Sequence, residues 1–207
     1  MASDQTKALA LLFNRLAERF DGDAPIERHA RAHLLDANVD YDFPAKTPDG
    51  LAVPFLDAMS RSDADPICSL ITALPFAWAP PQTSSDPLYS AHSTFKVHVE
   101  LLGPDGLVRS DTIRLGLYGI LPNSEYGLRT HPAEETYIML AGRADWMRGA
   151  APYRSHGPGE RSYHPSMLPH ATRTQDQAFM SVYTWCGDDI STTNYHYTGL
   201  PVQDQRP

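Results

Sequence analysis

Downstream of residue 91 the spacing of apolar residues changes from helical to alternating, and this switch is the strongest constraint on the fold. FKVHVELLG, TIRLGLYGIL, TYIMLAG, RADWMRG and AFMSVYTWCG are short, rich in β-branched and aromatic residues, and separated by Gly or Pro turns such as GPDG. Such runs read as successive strands. Upstream the period is helical. Ser3 or Asp4 can cap a segment that carries Leu9, Leu12, Phe13, Leu16 and Phe20 on one stripe. Asp23 followed by Pro25 starts a second helix, IERHARAHLLDAN, and Asp65 with Pro66 a third, ICSLITALPF. Between the two regimes, residues 79–91, APPQTSSDPLYSA, predict an extended connector. The expectation is one structural unit, mainly β: a helical region over residues 1–80 packed on one end of a small double-sheet barrel over residues 81–207. The tail PVQDQRP is expected to be loose.

At 207 residues the chain can bury a core without covalent or metal staples. Its net charge of -8 argues against a nucleic-acid or anionic-membrane partner, and no membrane-length apolar run occurs. Cys68 and Cys186 are too few for a disulfide framework and belong to no C-x2-C pair, which predicts buried thiols in a reducing, cytoplasmic setting. No basic leader precedes ALALLF. His29 and His33 have the i, i+4 spacing of a helical metal pair. No acidic residue accompanies them at matching spacing, so a solvated face is the better reading.

Chemistry concentrates between Arg129 and His170. On a strand Glu135 and Tyr137 share a face, with Met139 continuing it, while Thr136, Ile138 and Leu140 take the other. His131 has the same parity, although Pro132 interrupts pairing there. His170 follows the turn HPSMLPH, on a different strand. Two imidazoles, a carboxylate and a phenol directed into one cavity suit a divalent transition metal, and Zn, Fe, Mn, Co and Ni all accept mixed N/O ligation. Phe179, Tyr183 and Trp185 also share a face, and Tyr183 and Trp185 are carried forward as candidate ligand contacts.

The segment resembles the two cupin motifs. It reads Asn123-x5-Arg129-x-His131-x3-Glu135-x6-Gly142, then Gly159-x5-Pro165-x-Met167-x2-His170-x3-Thr174. Asn123, Arg129, Met167 and Thr174 depart from the usual residue types. Arg129 stands where cupins place their first ligand His, and a guanidinium cannot coordinate a cation. Tyr137 is the nearest residue on the same face to replace it. The motif phase selects His170 as a ligand over His156 and His164. YGLRTHPAEETYIMLAG with SYHPSMLPHATRT is similar to the cupin-type dimethylsulfoniopropionate lyases, particularly the Q and L types, in which a His-x3-Glu-x-Tyr run and a later His form the metal site.

That resemblance implies a jelly-roll barrel that cleaves dimethylsulfoniopropionate to acrylate and dimethyl sulfide. The metal ligands would be His131, Glu135, His170 and Tyr137, and Tyr137 would be the base. Tyr126 is the second candidate, as base or carboxylate holder, against a reading as a rim aromatic. Arg129 either pairs outward with Glu134 or Asp145, or points inward to the substrate carboxylate. Tyr183 and Trp185 offer aromatic faces to the sulfonium. The partner is then one small zwitterion, with a homodimer left open. Two alternatives stand beside this: another metal-dependent cupin enzyme, such as a dioxygenase or isomerase, and a non-catalytic cupin that binds a small zwitterion.

Overall fold

The computed structural model describes residues 3–45 and 50–199. Five helices come first: α1 (Asp4–Ala17), α2 (Pro25–Asp36), α3 (Val53–Met59), α4 (Cys68–Ala73) and α5 (Pro87–Ala91). The strands are β1 (Lys96–Gly103), β2 (Val108–Arg109), β3 (Arg114–Ile120), β4 (Glu125–Thr130), β5 (Glu134–Gly142), β6 (Ala144–Arg148), β7 (Arg154–His156), β8 (Arg161–His164), β9 (His170–Arg173), β10 (Phe179–Cys186) and β11 (His196–Gly199). They form a six-stranded sheet, β2-β1-β3-β10-β5-β8, and a five-stranded sheet, β11-β4-β9-β6-β7. All strand pairs are antiparallel except the short β1–β2 pair. This is the double-stranded β-helix of the cupins, preceded by helices.

The alternation read from the sequence separates two cores. Ile138 and Leu140 of β5 and Met180 and Val182 of β10 join Leu9, Leu12, Phe13 and Phe55 in one cluster between helices and sheet. Tyr137 and Met139, with Phe179, Tyr183 and Trp185, belong to a second, aromatic cluster with Tyr118, Tyr126 and Trp146 inside the barrel. A strand presents successive residues to opposite faces, so one run of residues builds the greasy outer face and the chemical inner one.

Several local expectations change. The helices cover the outer face of the six-stranded sheet, not one end of the barrel, because that face carries the apolar parity of β5 and β10. The 79–91 connector is not extended throughout: Asp86 accepts from the amides of Leu88 and Tyr89 and caps α5, with Pro87 in its first turn. Helix α3 had no clear capping signal and was not expected; it starts at Val53 with Pro54 in its first turn and buries Phe55. Ser3 caps α1 as expected, whereas α2 is entered from Ala24 with no side-chain cap. Asp65 takes the amide of Ile67 before α4 and pairs with Arg19 at 2.6 Å, tying α1 to that turn. Cys68 and Cys186 are both buried free thiols. The tail 201–207 lies outside the described residues.

Two of the motif departures have a backbone explanation. Asn123 and Met167 stand at cupin glycine positions, and both keep a left-handed conformation, at φ 53° and 60°. The Met167 amide donates to the His131 carbonyl at 2.9 Å. The turn that delivers His170 is thereby fastened to the segment that carries His131.

Candidate metal centre

His131 lies between β4 and β5, Glu135 near the start of β5, and His170 at the start of β9. All three are buried, and one ligand atom from each lies within 4.8 Å of the others. His131 Nδ1 sits 3.0 Å from the Ala133 carbonyl and His170 Nδ1 2.8 Å from that of Leu168. Each carbonyl accepts the Nδ1 proton, which leaves Nε2 with a bare lone pair. Those Nε2 atoms face Glu135 Oε2 at 3.6 and 3.2 Å and have no hydrogen-bond partner. Three buried lone-pair atoms with no proton among them repel one another unless a cation sits between. The donor set, two imidazoles and a carboxylate, fits a divalent transition metal.

The surroundings maintain that state. Burial holds His170 well below its ordinary pKa, with Arg129 and His164 adding to the shift, so it is neutral and ready to ligate. Burial alone would raise Glu135, but the His131, His164 and His170 imidazoles gathered on its carboxylate hold it well below the usual carboxylate range. Glu135 Oε1 accepts the Trp185 indole N–H at 2.5 Å, and Oε2 accepts from His164 Nδ1 at 2.8 Å. The far nitrogen of His164 meets Ser162 Oγ at 2.9 Å. His164 therefore has both nitrogens engaged, one on Glu135 and one on Ser162, and orients the carboxylate, a role the motif phase did not suggest; Glu135 and His164 are paired across β5 and β8. His156 is elsewhere, bonded to the Arg154 carbonyl. His33 is likewise committed, to His29 and Thr112.

A cavity of about 520 Å³ opens beside the cluster, lined by Tyr126, Arg129, Glu135, Tyr137, Tyr183 and Trp185 among others. Tyr137 packs against Trp146 at 4.5 Å between ring centroids, and burial, followed by the Glu135 carboxylate, pushes its phenol well above the ordinary range. Tyr126 is wholly buried, with its hydroxyl bonded to that of Tyr195. Trp185 stacks on His131 at 4.3 Å, so besides facing the cavity it braces two members of the cluster. Tyr183 is bonded to His98 Nε2 at 2.7 Å.

Arg129 takes the inward alternative. It is 2% exposed, bonds the Tyr126 and Gly127 carbonyls at 3.5 Å and Thr172 Oγ1 at 3.2 Å, and lies 4.0 Å over the Tyr126 ring. The outward partners are otherwise engaged: Asp145 with Arg173 and Gln175, Glu134 with the Tyr163 hydroxyl.

Sequence reasoning missed Lys96, Tyr118 and Tyr195. Parity on KVHVELLG and RLGLYGI would have placed Lys96, His98 and Tyr118 inside. Tyr195 carries no such signal, since it precedes β11 in a loop.

The family model for dimethylsulfoniopropionate lyase matches residues 54–181, well over half of the chain. The chain belongs to the dimethylsulfoniopropionate lyase family. Within it, the chain is 41% identical over 88 residues to the dimethylsulfoniopropionate lyase DddQ of Ruegeria pomeroyi, an alignment spanning 42% of this chain and 44% of that protein. The chain thus matches less than half the length of this curated relative. The crystal structure of DddQ from Ruegeria pomeroyi superposes with a TM-score of 0.66 at 26% identity, over 95% of this chain and 98% of that one. A chain from crystal structures of the lyases RdDddP and RnDddQII shares the fold, with a TM-score of 0.64 at 20% identity over 93% and 99% of the two chains. The dimethylsulfoniopropionate lyase family model runs from within α3 to the first three residues of β10, and so takes in all three clustered residues.

Proposed function

We propose that this chain is a metal-dependent carbon–sulfur lyase that cleaves dimethylsulfoniopropionate to acrylate and dimethyl sulfide. The observation that carries the proposal is the convergence of buried His131, Glu135 and His170 beside Tyr137 and a substrate-sized cavity, in a chain of this family. His131, Glu135 and His170, with Tyr137 as a fourth donor, would hold the cation. When bound, it supplies positive charge that offsets Glu135, favours the Tyr137 phenolate and stabilises charge developing on the substrate carboxylate placed against it.

Tyr137 takes the proton from the carbon beside the carboxylate. The electron pair of that C–H bond becomes the C=C bond of acrylate, the bond to sulfur breaks, and sulfur leaves with its pair as neutral dimethyl sulfide. That leaving group needs no proton, so one base suffices. Arg129 and the Tyr126 hydroxyl face the carboxylate end; Tyr183 and Trp185 present aromatic faces to the sulfonium. His164 and Trp185 keep Glu135 from turning, which preserves the alignment of base and metal donors.

The test is to incubate metal-loaded protein with dimethylsulfoniopropionate and to measure dimethyl sulfide in the headspace and acrylate in solution. Equimolar release of both is expected. Oxygen uptake with a different product would replace this reading with a cupin dioxygenase, and binding without turnover with a non-catalytic cupin.

A further inference from the structure

Five buried polar side-chain atoms lack a hydrogen-bond partner among the described residues: His131 Nε2, His170 Nε2, Lys96 Nζ, Tyr118 Oη and Trp146 Nε1. The two imidazole nitrogens are lone pairs, and a cation accounts for them. The other three can all donate. They lie farther along the barrel than Glu135, as register shows: Glu135 is level with Trp185, Tyr118 with Ser181, Lys96 with Ile120 and Phe179, and Trp146 with Thr172, two residues on from His170.

Arg129 completes this group. Its Cζ lies 4.0 Å from the Tyr126 ring centroid and 5.8 Å from that of Trp146, and Lys96 Nζ lies 3.4 Å from the same Tyr126 centroid. Neither cation has a carboxylate partner among the described residues, and Arg129 uses its five donors on only three long contacts. The faces of Tyr89 and Tyr126 moderate the Lys96 charge but accept no hydrogen bond from it. Burial, then Arg129, lowers the Lys96 ammonium to about 6, so charge there is costly until a counter-charge arrives. Donors gathered without an acceptor call for an acceptor-only group, which is the chemistry of an anion.

We propose that the floor of the cavity is an anion subsite, built from residues other than the metal ligands, that takes the carboxylate of a small monocarboxylic acid. Arg129 and Tyr118 line the cavity and reach the anion; Lys96 and Trp146 stand behind them and contribute charge and an N–H dipole. That the acid is acrylate, retained after elimination, rests on the lyase reading. The subsite itself does not.

The experiment is calorimetric titration of the purified, metal-loaded protein at pH 7.5 with sodium acrylate, and with acrylamide as the uncharged isostere. Acrylate should bind and acrylamide should not. Lys96→Met and Arg129→Met should each weaken acrylate about tenfold or more, the scale of a lost charge-assisted contact. His170→Ala, which disables the metal centre, should leave the affinity within about threefold. Lys96→Met keeps the side-chain length and removes a buried amine with no hydrogen-bond partner, so it should melt no lower than wild type; a merely structural lysine would not combine unchanged stability with lost acrylate. Acrylate binding that disappears in His170→Ala, or persists in both Met variants, overturns the proposal. No turnover is measured, so a protein without lyase activity that still binds acrylate in this pattern separates the two readings.

Discussion

Glu135 collects contacts from four side chains. Its Oε1 is held by Trp185, while Oε2 is held by His164 and faces the bare nitrogens of His131 and His170. Glu135→Gln keeps size and removes the charge that balances a divalent cation, so metal content by elemental analysis should fall at least tenfold, with the fold unchanged by circular dichroism. Tyr137→Phe makes the opposite separation. It keeps the ring packed on Trp146 and removes one oxygen, so most of the metal should remain while turnover falls by about 10² to 10⁴. Near wild-type turnover in that variant would move the base role to Tyr126. The same residues set the response to acid. His164 and His98 are lowered to about 4, in both cases chiefly by burial, and burial holds His170 well below its usual value. Between the ordinary imidazole value, about 6.5, and 4 the unfolded chain binds protons that the folded chain refuses, so stability declines as pH falls through that window. Glu135, held low, adds to the loss as pH drops through the carboxylate range. Melting temperatures of metal-free protein should decrease steadily from pH 7.5 to pH 4; a flat profile down to pH 5 would contradict this account.

At the scale of elements, β5 and β10 carry most of what could be read from the chain. Their alternation announced both cores, and Glu135 with Tyr137 followed from parity alone. Parity is a local property, so it survives without knowledge of neighbours. His164 and Lys96 escaped because their significance depends on what lies opposite: Glu135 on the neighbouring β5, and Tyr126 and Arg129 across the barrel. Short strands such as β7, β9 and β11 also lacked enough residues to display a period. Met167 offers a test at this scale. A methionine at φ 60° adopts a conformation that glycine accepts freely, and its side chain is 48% exposed, so little packing is lost on replacement. Met167→Gly should therefore stabilise the protein by about 1 kcal/mol, raising the melting temperature by roughly 2–4 °C. A lower melting temperature would show that the side chain, not the backbone, holds the turn.

For the whole molecule, the helices close the outer face of the six-stranded sheet with Leu9, Leu12, Phe13, Phe55 and Ile71. A fragment starting near Ser90 would expose Leu117, Ile138, Leu140, Met180 and Val182 together. It should aggregate, as judged by light scattering; a monodisperse fragment would show the helices to be accessory. The candidate metal centre is anchored differently. The imidazoles of His131 and His170 each lean on a carbonyl two residues away, so each ring carries its own compass within three residues of chain. Aim that is written so locally travels with the peptide. Drift in the distant helices or loops can retune the cavity walls while the two nitrogens keep pointing inward, and the same tripeptides transplanted onto another barrel of this curvature would bring their orientation with them.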